Sequence, residues 1–138
     1  MVLKKSHIGE YAIIINDKKE FLLVQWGKEF NYTWHFLGGL LDAGEKETEG
    51  LIREAKEELN ADINILKPVF TKYISEEYKW KPQDVTRYAV FYLAKIKNSK
   101  KLKTDNKEIV GFKWFKKKDL KNIKFFLPFY KEMLEKIL

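Results

Sequence analysis

Tyr88 to Ile96 reads YAVFYLAKI, and this run constrains the fold more than any other part of the chain. At its centre apolar side chains stand on both alternating faces, so a strand made from it has no face to offer water. The wider segment VTRYAVFYLAKI (85–96) therefore reads as a central strand, buried on both sides. Helices are the usual cover for such a strand, and the rest of the sequence supplies them.

EYAIIIN (10–16) and EFLLVQW (20–26) are apolar, β-branched runs around the polar NDKK, which reads as a hairpin. FLGGLLDAG (36–44) holds three of the seven glycines and reads as a loop. Residues 47–59 show helical spacing, with Leu51, Ile52, Ala55 and Leu59 on one side. A weaker strand signal over 62–75 is broken by Pro68, and IVGFKWF (109–115) is a further strand. Near the end, Phe126, Phe129, Tyr130, Met133, Leu134 and Ile137 recur at helical spacing, as in a helix packed on the core. No repeat or proline-rich linker divides the 138 residues, so 1–138 reads as one mixed α/β domain with helices covering a curved sheet.

Composition narrows the chemistry. The chain has no cysteine, which removes disulfides, thiolate metal sites and cysteine nucleophiles and fits a reducing cytoplasm. The start, MVLKKSHIGEYAIII, has an unbroken apolar run only from Ala12 to Ile15, too short for a signal-peptide core or a membrane span. A soluble, cytoplasmic protein is the expectation. The formal charge is +7, almost all of it from lysine, since Arg53 and Arg87 are the only arginines. That balance suits polyanions such as nucleotides or nucleic acid, and it equally suits a lysine-rich surface with no ligand at all.

Against that charge, REAKEELN (53–60) crowds Glu54, Glu57 and Glu58 into an arc of roughly 100° on one side of the helix. Like charges three and four residues apart repel, and convergence in a cleft makes joint ionisation far more costly unless a cation sits among them. Hard oxygen ligands without histidine or cysteine suit Mg²⁺ or Mn²⁺. Arg53 reaches Glu49 and Glu57, each four residues away, and Gly50 leaves room for a ligand on the acidic side. On spacing alone the turn is a preformed metal site or a solvated acidic face.

The surrounding residues add a resemblance. GLLDAGEKETEGLIREAKEELNA, Gly39 to Ala61, looks like the Nudix box of the Nudix hydrolases, with Gly39, Glu45, Arg53, Glu54, Ala55, Glu57 and Glu58 in register. Trp34 and EIVGFKWF resemble further family features, so the likeness extends over the whole chain. Three positions depart from the pattern. Leu37 stands where proline is common before the glycine pair, Asn60 replaces the closing glycine, and Ala61 is a small version of the final apolar residue. Asparagine also adopts the left-handed conformation that ends a helix, and none of the changes removes a carboxylate.

The resemblance implies an α/β/α sandwich around a mixed central sheet. It also implies Mg²⁺-dependent hydrolysis of a nucleoside diphosphate linked to another group. By that likeness Glu54, Glu57 and Glu58 bind the metal, with the Gly38 carbonyl as a further ligand. Glu45 lies one layer out, Arg53 orients a glutamate, and Glu54 or Glu58 is the general base. A later loop glutamate completes the set in some members; Glu108 is the candidate and Asp105 its competitor. His7 and His35 have no ligand spacing and read as structural residues.

The substrate is less constrained. Tyr78, 17 residues after the box, stands where a tyrosine marks members acting on diadenosine polyphosphates. Members cleaving ADP-ribose carry proline near that distance, where Pro68 is too early and Pro82 somewhat late. A nucleoside triphosphate pyrophosphohydrolase of the MutT kind fits equally, and lysines such as Lys28, Lys79 and Lys81 suit steering of a polyphosphate chain. Of the other readings, a nucleic-acid-binding module would use the basic surface without Mg²⁺, and hydrolysis of an RNA 5′ end would combine both behaviours. A catalytically idle domain is disfavoured by the intact glutamates. A homodimer is compatible with the sequence, which specifies no oligomeric state.

Overall fold

YAVFYLAKI forms strand β6 (Tyr88–Ile96), in a computed structural model that describes residues 5–74, 88–104 and 107–138. It lies between β1 (Lys5–Ile14), parallel to it, and β5 (Ile63–Tyr73), antiparallel to it. Residues 85–87 of the expected strand are outside the described residues. β4 (Leu37–Asp42) pairs antiparallel with the free side of β1, giving a mixed sheet of order β4-β1-β6-β5. A second, antiparallel sheet has the order β3-β2-β7, from β3 (Trp34–His35), β2 (Phe21–Trp26) and β7 (Ile109–Phe115).

Alternation along the strands feeds two cores. Ala12, Ile14, Leu22, Val24, Tyr92 and Ala94 meet Leu51, Ala55 and Leu59 of helix α1 (Glu49–Leu59). Ile13, Phe21, Leu23, Ala89 and Phe91 meet Tyr130, Met133 and Leu134 of α2 (Phe129–Ile137). The strands are thus the middle layer and the helices the outer ones, the expected α/β/α sandwich. The apolar stripe at the end of the chain is core, with Met133 and Leu134 almost wholly buried. Among the described residues no helix is long and apolar enough to cross a membrane.

Three local expectations need correction. NDKK is a tight turn, with the Asn16 carboxamide oxygen accepting the amides of Lys18 and Glu20. The strands beside it share only the Ile15–Phe21 bridge and then enter different sheets. Both faces of each run are buried, so each becomes a core strand in its own sheet. Residues 37–42 are not loop but β4, because Leu37, Leu40 and Leu41 bury into the core and Gly38 lets the backbone run close against β1. Pro68 does not break β5: this is an edge strand, and register shifts at 65–67 and 68–70 absorb the lost donor.

Gly38 fixes the spacing of β4 and β1. Its φ is +133°, and a β-carbon there would run into the Glu10 carbonyl oxygen and stand 2.8 Å from Tyr11 Cα. Gly38→Ala is expected to cost ~3 kcal/mol or more, since it combines backbone strain with a main-chain clash. Urea melts measure this, and a variant as stable as the parent would contradict the close approach.

Candidate active site

The acidic turn lies on α1, and both ends of that helix are tied down. At its start Thr48 has φ 64° and makes no side-chain cap. Its amide donates instead to Glu10 of β1, at 2.9 Å to one carboxylate oxygen and 3.2 Å to the other. Glu10 is only 2% exposed and also accepts the Tyr92 hydroxyl at 2.9 Å. At the other end Asn60 takes the left-handed conformation expected of it, φ 55°, and its amide donates back into the last turn. Asn98 then accepts the Asp62 amide and donates to the Asn60 carbonyl.

Between these anchors the three glutamates have different environments. Glu58 points inward, is 4% exposed, and accepts the Gly38 amide at 2.8 Å. Glu54 faces Gly39, where a β-carbon would touch its carboxylate at 3.4 Å. Glu57 is the outer member, with 56% of its side chain exposed. Glu108, just before β7, faces the same region: its carbonyl accepts the Gly27 amide, and its charge bears on Glu58. Burial pushes the Glu58 carboxyl well above the usual carboxylate range, opposed by the Gly38 amide and reinforced by the charges of Glu54, Glu57 and Glu108.

Arg53 is the cation among these acids. Nε and Nη2 donate to the two oxygens of Glu45 at 2.9 and 3.0 Å, a bidentate pair. Nη1 reaches Glu57 at 3.1 Å and Glu54 at 3.4 Å, and Nη2 lies 3.4 Å from Asp42. Glu57 is thus a partner as expected, whereas the bidentate partner is Glu45, in the loop before the helix, in the place expected of Glu49. Glu45 also accepts the Asp42 amide at 2.6 Å, and its hydrogen bonds from Arg53 hold its carboxyl below the ordinary range.

Gly50 leaves no room for a ligand. Its hydrogen faces Leu41 and Glu45, which a β-carbon would meet at 2.5 and 2.9 Å. Nor is the metal site fully preformed: among the described residues no three acidic or imidazole side chains close on one point. Among the described residues the Arg53 guanidinium pairs with Asp42, Glu45, Glu54 and Glu57. The donor set still suits a hard dication. Its side chains are all carboxylates, and the charges of Glu54, Glu57 and Glu108 bear on the buried Glu58, a repulsion that a hard cation among them would relieve.

His35 is a packing residue. Its ring stacks on Phe126 at 4.2 Å and lies against Trp26, and burial lowers its pKa to about 3. Tyr78 and Asp105 lie outside the described residues, as do Lys79, Lys81 and Pro82. Glu10 and Tyr92 escape a reading by motif. Their one signal is a carboxylate and a phenol inside otherwise apolar strands, where each needs a partner.

Known proteins resemble this chain over most of its length. A family model described as NUDIX domain matches residues 5–137. An RNA pyrophosphohydrolase from a Nitratiruptor species is 33% identical over 113 residues, covering 75% of this chain and 72% of that protein. Among solved structures, an Ap4A hydrolase binary complex from C. elegans superposes with a TM-score of 0.73 at 23% identity, covering 94% of both chains. A MutT protein from Methanosarcina mazei Go1 gives 0.70 at 17% identity, covering 94% of this chain and 90% of that one. At those identities the two structures speak for the fold alone.

The buried acid gives the metal-free protein a distinctive pH dependence. A carboxyl raised in the folded state contributes stability that is full below about pH 4.5 and lost as pH rises through its folded value. Glu58→Gln removes that loss while keeping an acceptor for the Gly38 amide. In chelator at pH 7–8 the variant should melt several degrees above the parent, at ~4 °C per kcal/mol, and the gap should close toward pH 4.5. His35 acts oppositely, losing its contribution as pH falls below 6.5 toward its folded value of about 3, and cancels in the difference. Parallel melting curves across the range would contradict a strained Glu58.

Proposed function

The chain belongs to the NUDIX-domain family of hydrolases, and on that premise we propose that it opens a phosphoanhydride bond in a nucleoside diphosphate linked to another group, using Mg²⁺ or Mn²⁺. The observation that carries the reading is the buried Glu58, held by the Gly38 amide with Glu54, Glu57 and Glu108 around it. Those four carboxylates would hold the cation, with the Gly38 carbonyl beside them. When bound, the dication supplies neutralisation of the phosphate oxygens and a more acidic water.

The chain's own groups do the rest. Arg53 and Glu45 orient Glu57 and Glu54, so these side chains enter the reaction with little freedom left to lose. Glu54 or Glu58 accepts the proton of the attacking water, and these are the two acids set against the glycine pair. No serine, cysteine or histidine nucleophile is needed for a displacement that depends on positioning and charge.

Nucleoside triphosphates and dinucleoside polyphosphates are the favoured substrates, ADP-ribose less so, in a cytoplasmic setting. The RNA pyrophosphohydrolase at 33% identity favours a second reading, removal of phosphate from an RNA 5′ end, which the +7 charge also suits. The test is a panel of triphosphates, dinucleoside polyphosphates, ADP-ribose and 5′-triphosphorylated RNA with Mg²⁺, products being identified by mass. Glu57→Gln should lower turnover by ~100-fold or more with its melting point nearly unchanged, Glu57 being largely exposed. Salt-sensitive RNA binding with no Mg²⁺-dependent product from any member would leave the binding-module reading instead.

A further inference from the structure

Tyr92 stands in the middle of the central strand with its ring 3% exposed. Core packing asks only for a ring at that position, and phenylalanine would bury more cheaply. Its hydroxyl has one proton and two carboxylates in reach, Glu10 at 2.9 Å and Glu47 at 3.1 Å. That proton is donated to one of them at a time, and both carboxylates lie within hydrogen-bond reach of the phenol oxygen. Two acids from distant parts of the chain, β1 and the loop before α1, therefore meet at one oxygen.

Each acid leads to the acidic turn. Glu10 accepts the Thr48 amide at the start of α1, standing in for the side-chain cap that Thr48 does not make. Glu47 adjoins the loop that carries Glu45, and Glu45 takes both forks of Arg53. Arg53 in turn reaches Glu57 and Glu54. The path from phenol to acidic turn thus runs through hydrogen bonds, ion pairs and the short loop between Glu45 and Glu47.

We propose that Tyr92 is a positioning residue: through Glu10 and Glu47 it fixes the start of α1 and so the placement of the acids that would bind the dication. The hydrolase reading above is needed only for the activity part of this claim. Loss of the hydroxyl leaves Glu10 buried with the Thr48 amide as its remaining donor and frees Glu47 from β6.

The experiment compares the full chain with Tyr92→Phe and Glu10→Gln by amide hydrogen exchange at Thr48, by titration with Mn²⁺ alone, and by steady-state kinetics. Glutamine can still accept the Thr48 amide while donating to the phenol, so it serves as the conservative rescue. In Tyr92→Phe the Thr48 amide should exchange faster, half-saturating Mn²⁺ should rise about tenfold, and kcat should fall by a similar factor with KM little changed. Glu10→Gln should stay close to the parent in all three. Thr48 protection equal to the parent in Tyr92→Phe would overturn the proposal, as would lost protection with unaltered Mn²⁺ uptake. If the parent hydrolyses nothing, only the hydrolase reading falls, because exchange and Mn²⁺ uptake still decide the role of Tyr92.

Discussion

The hydrogen bond from the Gly38 amide to Glu58, 2.8 Å long and buried, ties the acidic turn to the sheet. It fastens α1 to β4 through a carboxylate that burial alone would drive to its neutral form. It also depends on Gly38, since only a residue without a β-carbon lets β4 pass so close to the Glu10 carbonyl of β1. One buried acid therefore fixes the helix, the edge strand and the strand beneath them in mutual register. A buried carboxylate is a poor way to gain stability. Its burial between α1 and β4 is understandable if a charged partner completes it.

Arg53 offsets part of the same charge. It contacts Glu45, Glu57, Glu54 and Asp42 and is about a third exposed, so each pair separately is worth only ~0–1 kcal/mol. Its value is geometric. The bidentate grip on Glu45 leaves Nη1 to face Glu54 and Glu57, and a lysine could not do both. Anchors at Thr48 and Asn60 hold the helix at either end, so the side chains between them are presented by a rigid support.

What could be read from the sequence follows from how local each cause is. β6 declared itself because burial on both faces leaves a continuous apolar run, and α1 and α2 did so because helical spacing is written in adjacent turns. The acidic turn was visible for the same reason. β4 was not, because Gly38 is a glycine through a contact with β1 and Gly39 faces Glu54 of α1, and both neighbours come from other parts of the chain. The divergence of β1 and β2 after a shared turn was hidden likewise, since it depends on β6 and β7 claiming one strand each. Gly50 was misread because what fills its space, Leu41 and Glu45, comes from another element. Glu10 and Tyr92 were missed because a polar partner in a core is fixed by topology and leaves no periodic trace.

The basic surface and the acidic cleft then fit one electrostatic scheme. Far from the protein a polyanion responds to the net charge of +7, an attraction that salt attenuates over ~8 Å at physiological ionic strength. Close to α1 the carboxylates of Glu54, Glu57 and Glu58 bring negative charge together, with Arg53 paired to two of them. Lysines cannot remove that local repulsion from a distance. A dication at the turn can, since it would cancel the carboxylates at contact range, where screening is weakest. In the hydrolase reading, lysine thus brings the phosphates near the cleft, and occupancy of the acidic turn decides whether they enter it. Excess positive charge on the chain and concentrated negative charge on one helix are then two parts of the same selectivity.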